Sequence, residues 1–288
     1  MALGLARFFG VRLPANFDSP LKATSIIDFW LRWHMTLTRF LTAYLYNPLA
    51  LWLTRRRMAR GLPGLGRRAP SAGAFFQLLA GPVLLTMFVS GLWHGAGYLF
   101  ILWGLLHGVY LSVNHAWRLF GPRNWPNKET HARFMRPTGL ALTFLSVAVS
   151  MVLFRSANAD AAKELLQGMV GMNGISLPQQ ILAELGPLKG LLQFFVSAST
   201  KMSAQEFLLA IAWLGVLLLI ALLVPNTLHL MARYEPALGV GSRPAAPLSL
   251  LRASDWAPTV PWAVAMSSLV VAVVMRLGGK SEFLYWQF

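Results

Sequence analysis

The sequence predicts an all-α, polytopic helical membrane protein with about five transmembrane helices, plus re-entrant and interfacial amphipathic helices. Three observations carry this expectation. Hydrophobic residues fill 56% of the 288 positions and charged residues only 12%, against roughly 25% charged in a soluble domain. Mean hydropathy is +0.54. The apolar residues gather in runs close to the ~20 residues that cross hydrocarbon as a helix, the structure that satisfies its own backbone hydrogen bonds there.

The remaining composition narrows the function classes. Cysteine is absent, which excludes disulfides, thiolate catalysis and Cys-ligated zinc or iron–sulfur centres. Lys and Arg number 25 against 10 Asp and Glu, a net charge of +15. In a soluble protein that balance would point to nucleic acid. Here the charges sit in short loops between apolar runs, so they read as topogenic charge facing the cytoplasm and anionic membrane lipid, and no nucleic-acid partner is expected. Residues 1–20 contain Arg7, Arg12, Pro14, Asn16 and Asp18 and lack the sustained apolar core of a signal peptide.

The elements follow in order. Residues 1–24 read as a short apolar helical turn and a polar loop in which Pro14 and Pro20 keep the chain extended. Residues 25–46 predict an amphipathic, aromatic-rich helix. Ser25 can cap it, Asp28 lies in its first turn where the helix dipole favours an anion, and Arg32 falls four positions later on the same face. Phe29, Trp30, Trp33, Phe40, Tyr44 and Tyr46 give it interfacial character. The apolar run 40–54, interrupted by Asn47-Pro48, is short for crossing and predicts a re-entrant or tilted segment. Six arginines then follow between 55 and 70 without an acid.

Spans are predicted at 74–93, 97–119, 138–154 and 206–225, with a fifth at 259–277. The first two form a tight hairpin whose tip is His94-Gly95-Ala96. The 55–70 and 118–137 loops are both basic, and the positive-inside rule places them in the cytoplasm and the tip toward the outer side. The 155–205 segment is then extracytoplasmic, with short amphipathic helices on the membrane surface between 160 and 200.

Histidine is the residue type that can carry chemistry. His131 lies in a charged loop and His229 at a span end, both ordinary settings. His107 and His115 share one face of the 97–119 span but are eight apart, whereas a helical metal pair prefers four, so structural or polar-tunnel roles are expected and no metal site. His94 sits among Gly91, Gly95 and Gly97. An ionisable residue at membrane depth is a functional candidate, and desolvation keeps an imidazole neutral, as a general base requires. A satisfied structural histidine remains the alternative. His34, among aromatics on an interfacial helix, reads as amphipathic packing or as a functional group. No Gly-x-Ser-x-Gly elbow, P-loop or dinucleotide fingerprint occurs in a supporting context, and Gly61–Gly66 reads as a flexible cytoplasmic loop.

The tract Thr24-Ser25-Ile26-Ile27-Asp28-Phe29-Trp30-Leu31-Arg32-Trp33-His34-Met35-Thr36-Leu37-Thr38 resembles a signature of the membrane-bound O-acyltransferase family. The match is closest to the branch containing alginate O-acetylases and teichoic-acid D-alanylation proteins. Ser90-Gly91-Leu92-Trp93-His94-Gly95-Ala96, with Leu102-Trp103-Gly104-Leu105-Leu106-His107-Gly108, resembles the second signature. Weaker echoes are Val152-Leu153-Phe154-Arg155-Ser156, Val224-Pro225-Asn226 and Phe283-Leu284-Tyr285-Trp286-Gln287-Phe288, in the same order.

The resemblance implies a bacterial inner-membrane, multi-pass O-acyltransferase. It implies acetyl-CoA as acyl donor, an exported, alginate-like polysaccharide as acceptor and a periplasmic acetyltransferase as partner. His94 matches the catalytic histidine, and His34 the second functional position, near the inner side of the tunnel. Trp30, Arg32, Trp33 and Trp93 match residues that shape those sites, and Asp28 and His107, in the same tracts, are assigned with them to the substrate path. Family members carry further spans before the first signature, so residues 1–288 are expected to be the C-terminal part of such a domain. A non-catalytic membrane subunit, acting as scaffold or acyl conduit for a partner enzyme, is the alternative, and a polysaccharide flippase a third reading.

Overall fold

The computed structural model describes residues 2–65, 70–121, 128–184, 196–199, 202–238 and 256–275. The chain divides into two units, Ser19–Leu223 and Met1–Asp18 with Val224–Phe288.

The larger unit is built on a helical hairpin. Its first arm runs from α5 (Ala72–Phe75) through a π turn (Phe76–Ala80) into α6 (Gly81–His94), and its second arm is α7 (Tyr98–Phe120). Glycine lets the two backbones touch. A Cβ on Gly91 would strike the Phe100 carbonyl oxygen, and one on Gly104 the Met87 carbonyl oxygen. A Cβ on Gly108, four residues on, would come within 3.0 Å of the Leu84 side chain. Gly104-x-x-x-Gly108 is thus a small-residue seam of the kind that brings membrane helices together where no hydrophobic drive distinguishes protein from lipid.

Before the hairpin come α2 (Ile26–Trp30), α3 (Met35–Leu41), a π turn (Thr42–Tyr46) and α4 (Asn47–Met58). The single helix expected over 25–46 is therefore corrected to two helices with a turn at 31–34. No Gly or Pro marks that turn. From Met35 to Met58 the chain is continuously helical, so Asn47-Pro48 does not break it as expected. The reason is the π turn: the Asn47 amide reaches back five residues to the Thr42 carbonyl, and the widened turn accommodates a proline that would otherwise clash and leave a gap in the ladder. Gly81-Pro82 repeats the device, with the Gly81 amide on the Phe76 carbonyl.

The helix α8 (Lys128–Arg155) begins ten residues ahead of the predicted span and contains Pro137. Its Gly139 lies against the Thr24 carbonyl oxygen, an approach that any side chain would prevent. It is followed by α9 (Ala159–Met169), capped by Asn158 on the Ala161 amide, and by α10 (Gln179–Glu184). Between and beyond these lies a feature not expected from the sequence: β1 (Ile175–Pro178) pairs in parallel with β2 (Val196–Ser199). Four residues of alternation are too few to stand out against helical spacing. Leu185, expected on a surface helix, lies outside the described residues. The unit ends with α11 (Ala204–Leu223), a helix apolar on all sides with no buried residue, as a lipid-facing span should be.

Four described helices are long and apolar enough to cross a membrane: Ala72–His94, Tyr98–Phe120, Arg133–Arg155 and Ala204–Leu223. They match the four main predicted spans in place and exceed two of them in length.

In the smaller unit, α1 (Ala2–Phe8) leads to an extended segment whose Leu13 carbonyl accepts from the Leu238 amide at 2.9 Å. Asn226 caps α12 (Thr227–Leu230), and its side-chain amide donates to Asp18 at 2.8 Å. Arg12 pairs with Glu235 at 2.8 Å. Ala15, Leu228 and Ala237 form a small core. The fifth predicted span appears as α13 (Val260–Val274), 15 residues long; positions 276–277 and the echo at 283–288 lie outside the described residues.

Candidate active site

The site starts from a helix cap. The Ser25 hydroxyl accepts from the Asp28 amide at 3.1 Å, and the Asp28 carboxylate accepts from the Thr24 amide at 3.2 Å and from Arg32 Nε at 2.8 Å. Asp28 and Arg32 are thereby tied to each other and to the start of α2, as their spacing predicts. From the far end of α7, Asn114 Oδ1 accepts from the Ile27 amide and Arg118 donates to Ser25. With α2 fixed at its first turn, the chain ends the helix at Trp30 and swings His34 into a left-handed backbone conformation, φ 45° and ψ 48°, at the start of α3. A non-glycine residue there costs about 1–3 kcal/mol and survives only where the surroundings overdetermine it.

That turn delivers His34 to the end of α6. The His34 and His94 rings meet edge to face with centres 6.3 Å apart. Trp93, exposed on the outer edge, packs on both, at 5.8 Å from His34 and 4.9 Å from His94. The inner wall is Trp103 and Phe154, each 5.1 Å from the His94 ring. The expectation that His34 lies toward the inner side and His94 toward the outer is corrected: the two imidazoles share one site. Loop charge set the outward placement of the hairpin tip and the resemblance the inner placement of His34, and neither registers the reversal at 31–34.

Both histidines are half-buried. Burial holds His34 below its ordinary value of 6.5, outweighing a backbone interaction that works in the opposite direction. Among the described residues, two buried polar atoms beside this wall make no hydrogen bond, Trp103 Nε1 and Ser90 Oγ, the latter one helical turn before His94. Each costs the fold about 1–3 kcal/mol.

The other sequence-predicted residues lie behind the pair. Trp33 stacks on Phe29 at 5.6 Å. Trp30 is buried and donates through its indole N–H to His107 Nδ1 at 3.3 Å. His107 has no exposed surface and its Nε2 meets Ser150 Oγ at 2.9 Å. Trp30 also forms one wall of an apolar cavity of about 260 Å³, with Met87 and Leu111 beside it and Thr38, Thr42 and His115 adding polar groups. No group of three or more His, Cys, Asp or Glu side chains able to hold a metal occurs among the described residues. Trp103 and Phe154 stand in tracts that the sequence singles out, without a signal that marks them as site residues. Ser150 lies in none of those tracts, but a polar residue in an apolar span is itself a signal.

No family model matches the chain. Individual proteins do. It is 39% identical over 177 residues to the peptidoglycan O-acetyltransferase of Helicobacter pylori, covering 62% of this chain and 29% of that protein. It is 29% identical over 307 residues to the probable alginate O-acetylase AlgI of Pseudomonas fluorescens, covering all of this chain and 53% of the relative. A teichoic acid D-alanyltransferase of Streptococcus thermophilus is 27% identical over 162 residues, covering 53% and 35%. The chain is a homologue of the membrane-bound O-acyltransferases. It spans about half, or less, of the length of the curated relatives that it matches. In this homologue the two tracts that resemble the family signatures are the two that supply His34 and His94.

Proposed function

We propose that this homologue carries the reaction centre of a bacterial inner-membrane O-acyltransferase that moves an acetyl group from cytoplasmic acetyl-CoA toward hydroxyls of an exported polysaccharide. The observation that carries the reading is the meeting of His34 and His94 from distant signature tracts. A hydroxyl is a poor nucleophile until a base takes its proton, a step worth about 10²–10⁴-fold. His94 is that base. As it accepts the proton, the hydroxyl oxygen bonds to the thioester carbonyl carbon. The tetrahedral oxyanion collapses, the C–S bond breaks, and the imidazolium returns the proton to the leaving thiolate. Trp93 Nε1 and the backbone amides near Gly95 are the donors at hand for the oxyanion. His34 orients the donor beside His94. The cavity behind Trp30, apolar with a few hydroxyls, suits the thioester arm. The hydroxyl acetylated here belongs to an intermediate acceptor, and a periplasmic acetyltransferase then moves the acetyl group from that ester to the polysaccharide hydroxyl, regenerating the acceptor.

The test is the ester content of the polysaccharide from cells whose own copy of the gene, at its full length, carries His94→Ala. Loss of O-acetyl groups with normal membrane levels of the protein is expected. Unchanged acetylation overturns the assignment.

A further inference from the structure

The resemblance assigns His107 to the substrate path, yet both nitrogens of its ring are already engaged. An indole N–H is a donor only, so the Trp30 bond makes His107 Nδ1 an acceptor. The neutral ring then carries its proton on Nε2, which donates to Ser150 Oγ at 2.9 Å. The Ser150 hydroxyl in turn donates to the Val147 carbonyl at 2.8 Å. In this chain of three bonds Nδ1 accepts, Nε2 donates and the hydroxyl does both, and for a neutral ring no other assignment satisfies all of them. The chain joins α2, α7 and α8.

The ring faces reach both halves of the site. Phe29 stacks on His107 with centres 6.2 Å apart and on Trp33, the neighbour of His34. Trp103 packs on His107 at 4.9 Å and on His94 at 5.1 Å. His107 is therefore one aromatic ring, Trp103, from His94 and two rings, Phe29 and Trp33, from the chain neighbour of His34, and is itself sealed from any ligand, with no exposed surface.

We infer that His107 is a positioning residue: held by Ser150, it holds Trp30, sets the separation of His34 and His94, and touches no substrate. This rests on the acyltransfer reading above. Buried, fully satisfied polar networks fix one geometry, and misplacing reacting groups by about an ångström can cost 10²-fold in rate.

The experiment measures thiol release from acetyl-CoA by the full-length protein in membrane vesicles. Ser150→Ala removes a single oxygen and is expected to lower kcat about tenfold with KM for acetyl-CoA within about twofold, while Ser150→Thr restores the hydroxyl and the rate. His107→Asn keeps an acceptor near the Nδ1 position for Trp30 and is expected to outperform His107→Gln, whose amide reaches only toward Ser150. A wild-type kcat in Ser150→Ala, a rise in KM at constant kcat, or a Gln variant at least as active as the Asn variant overturns the inference. If the His107 variants fail to fold, the Ser150 pair decides alone. His94→Ala in the same assay separates the two claims: retained turnover there sinks the acyltransfer reading, whatever the Ser150 variants do.

Discussion

The imidazoles of His34 and His94 meet edge to face at 6.3 Å, one at the left-handed turn that starts α3 and the other in the last turn of α6. Burial at this shared site holds His34 in the neutral form that can accept a proton.

The first prediction is a pH profile. Burial lowers the His34 value from 6.5, so the group is neutral through physiological pH and becomes charged only as pH falls past that lowered value. Turnover should stay level from alkaline pH through 6.5 and decline on a single acid limb below it. The sign for stability is the same. The unfolded chain binds the proton more readily than the folded one, so stability falls as pH drops below 6.5. Initial rates of thiol release between pH 4.5 and 8 in one buffer series check this. A maximum at acid pH would contradict it.

Backbone strain at His34 separates from its chemistry. Among L-residues Asn tolerates the left-handed region and β-branched residues do not. His34→Val should lower stability by about 1–3 kcal/mol, and His34→Asn should stay near wild type. Thermal unfolding in detergent reads the difference. Both variants are expected to lose acyl transfer if the imidazole is needed, so stability and activity will not run in parallel.

The glycine seam gives a third prediction. Gly91→Ala and Gly104→Ala place a methyl group on a carbonyl oxygen across the hairpin, a clash that backbone movement relieves at a cost of about 1–3 kcal/mol. Gly97→Ala is the control, since its Cβ meets only the Phe100 ring at 3.4 Å. Unfolding midpoints should rank Gly97→Ala with wild type and the other two well below.

A fourth concerns Arg57, a buried guanidinium at the end of α4. Its Nε donates to the Pro63 carbonyl at 2.8 Å and one terminal nitrogen to Gln77 Oε1 at 2.7 Å. Lysine offers a single ammonium and cannot make both bonds in that fork geometry. Arg57→Lys should therefore expose the chain between Met58 and Pro63 to proteases. Limited proteolysis of membrane vesicles should show a new cut there while α6 and α7 stay intact.

What the sequence revealed follows from what the bilayer demands. Hydropathy located the four long spans among the described residues, because crossing hydrocarbon fixes a length and excludes charge. Ser25, Asp28 and Arg32 announced the start of α2, because caps and i,i+4 pairs are local chemistry. The turn at His34 was not legible: residues 31–34 contain neither Gly nor Pro, and the left-handed conformation is imposed by tertiary packing around Trp30, Phe29 and Trp93. The π turns were missed for a related reason. Asn47-Pro48 signals a break in isolation, and only a helix already held by neighbours absorbs it as a wider turn. For His107, helical spacing gave its face but not its partners, since Trp30 and Ser150 arrive from elsewhere in the chain.

The contact of α6 and α7 through bare backbone has a mechanical consequence. Helices separated by side chains can slide, because rotamers rearrange as they pass. Where Gly91 and Gly104 rest on carbonyl groups, no such layer exists, and the two helices move as one rigid arm. Any opening that admits a donor or an acceptor to His94 therefore belongs to the other walls, the α2–α3 turn that carries His34 or the end of α8 that carries Phe154. The hairpin is the fixed anvil, and the gate is whatever closes on it.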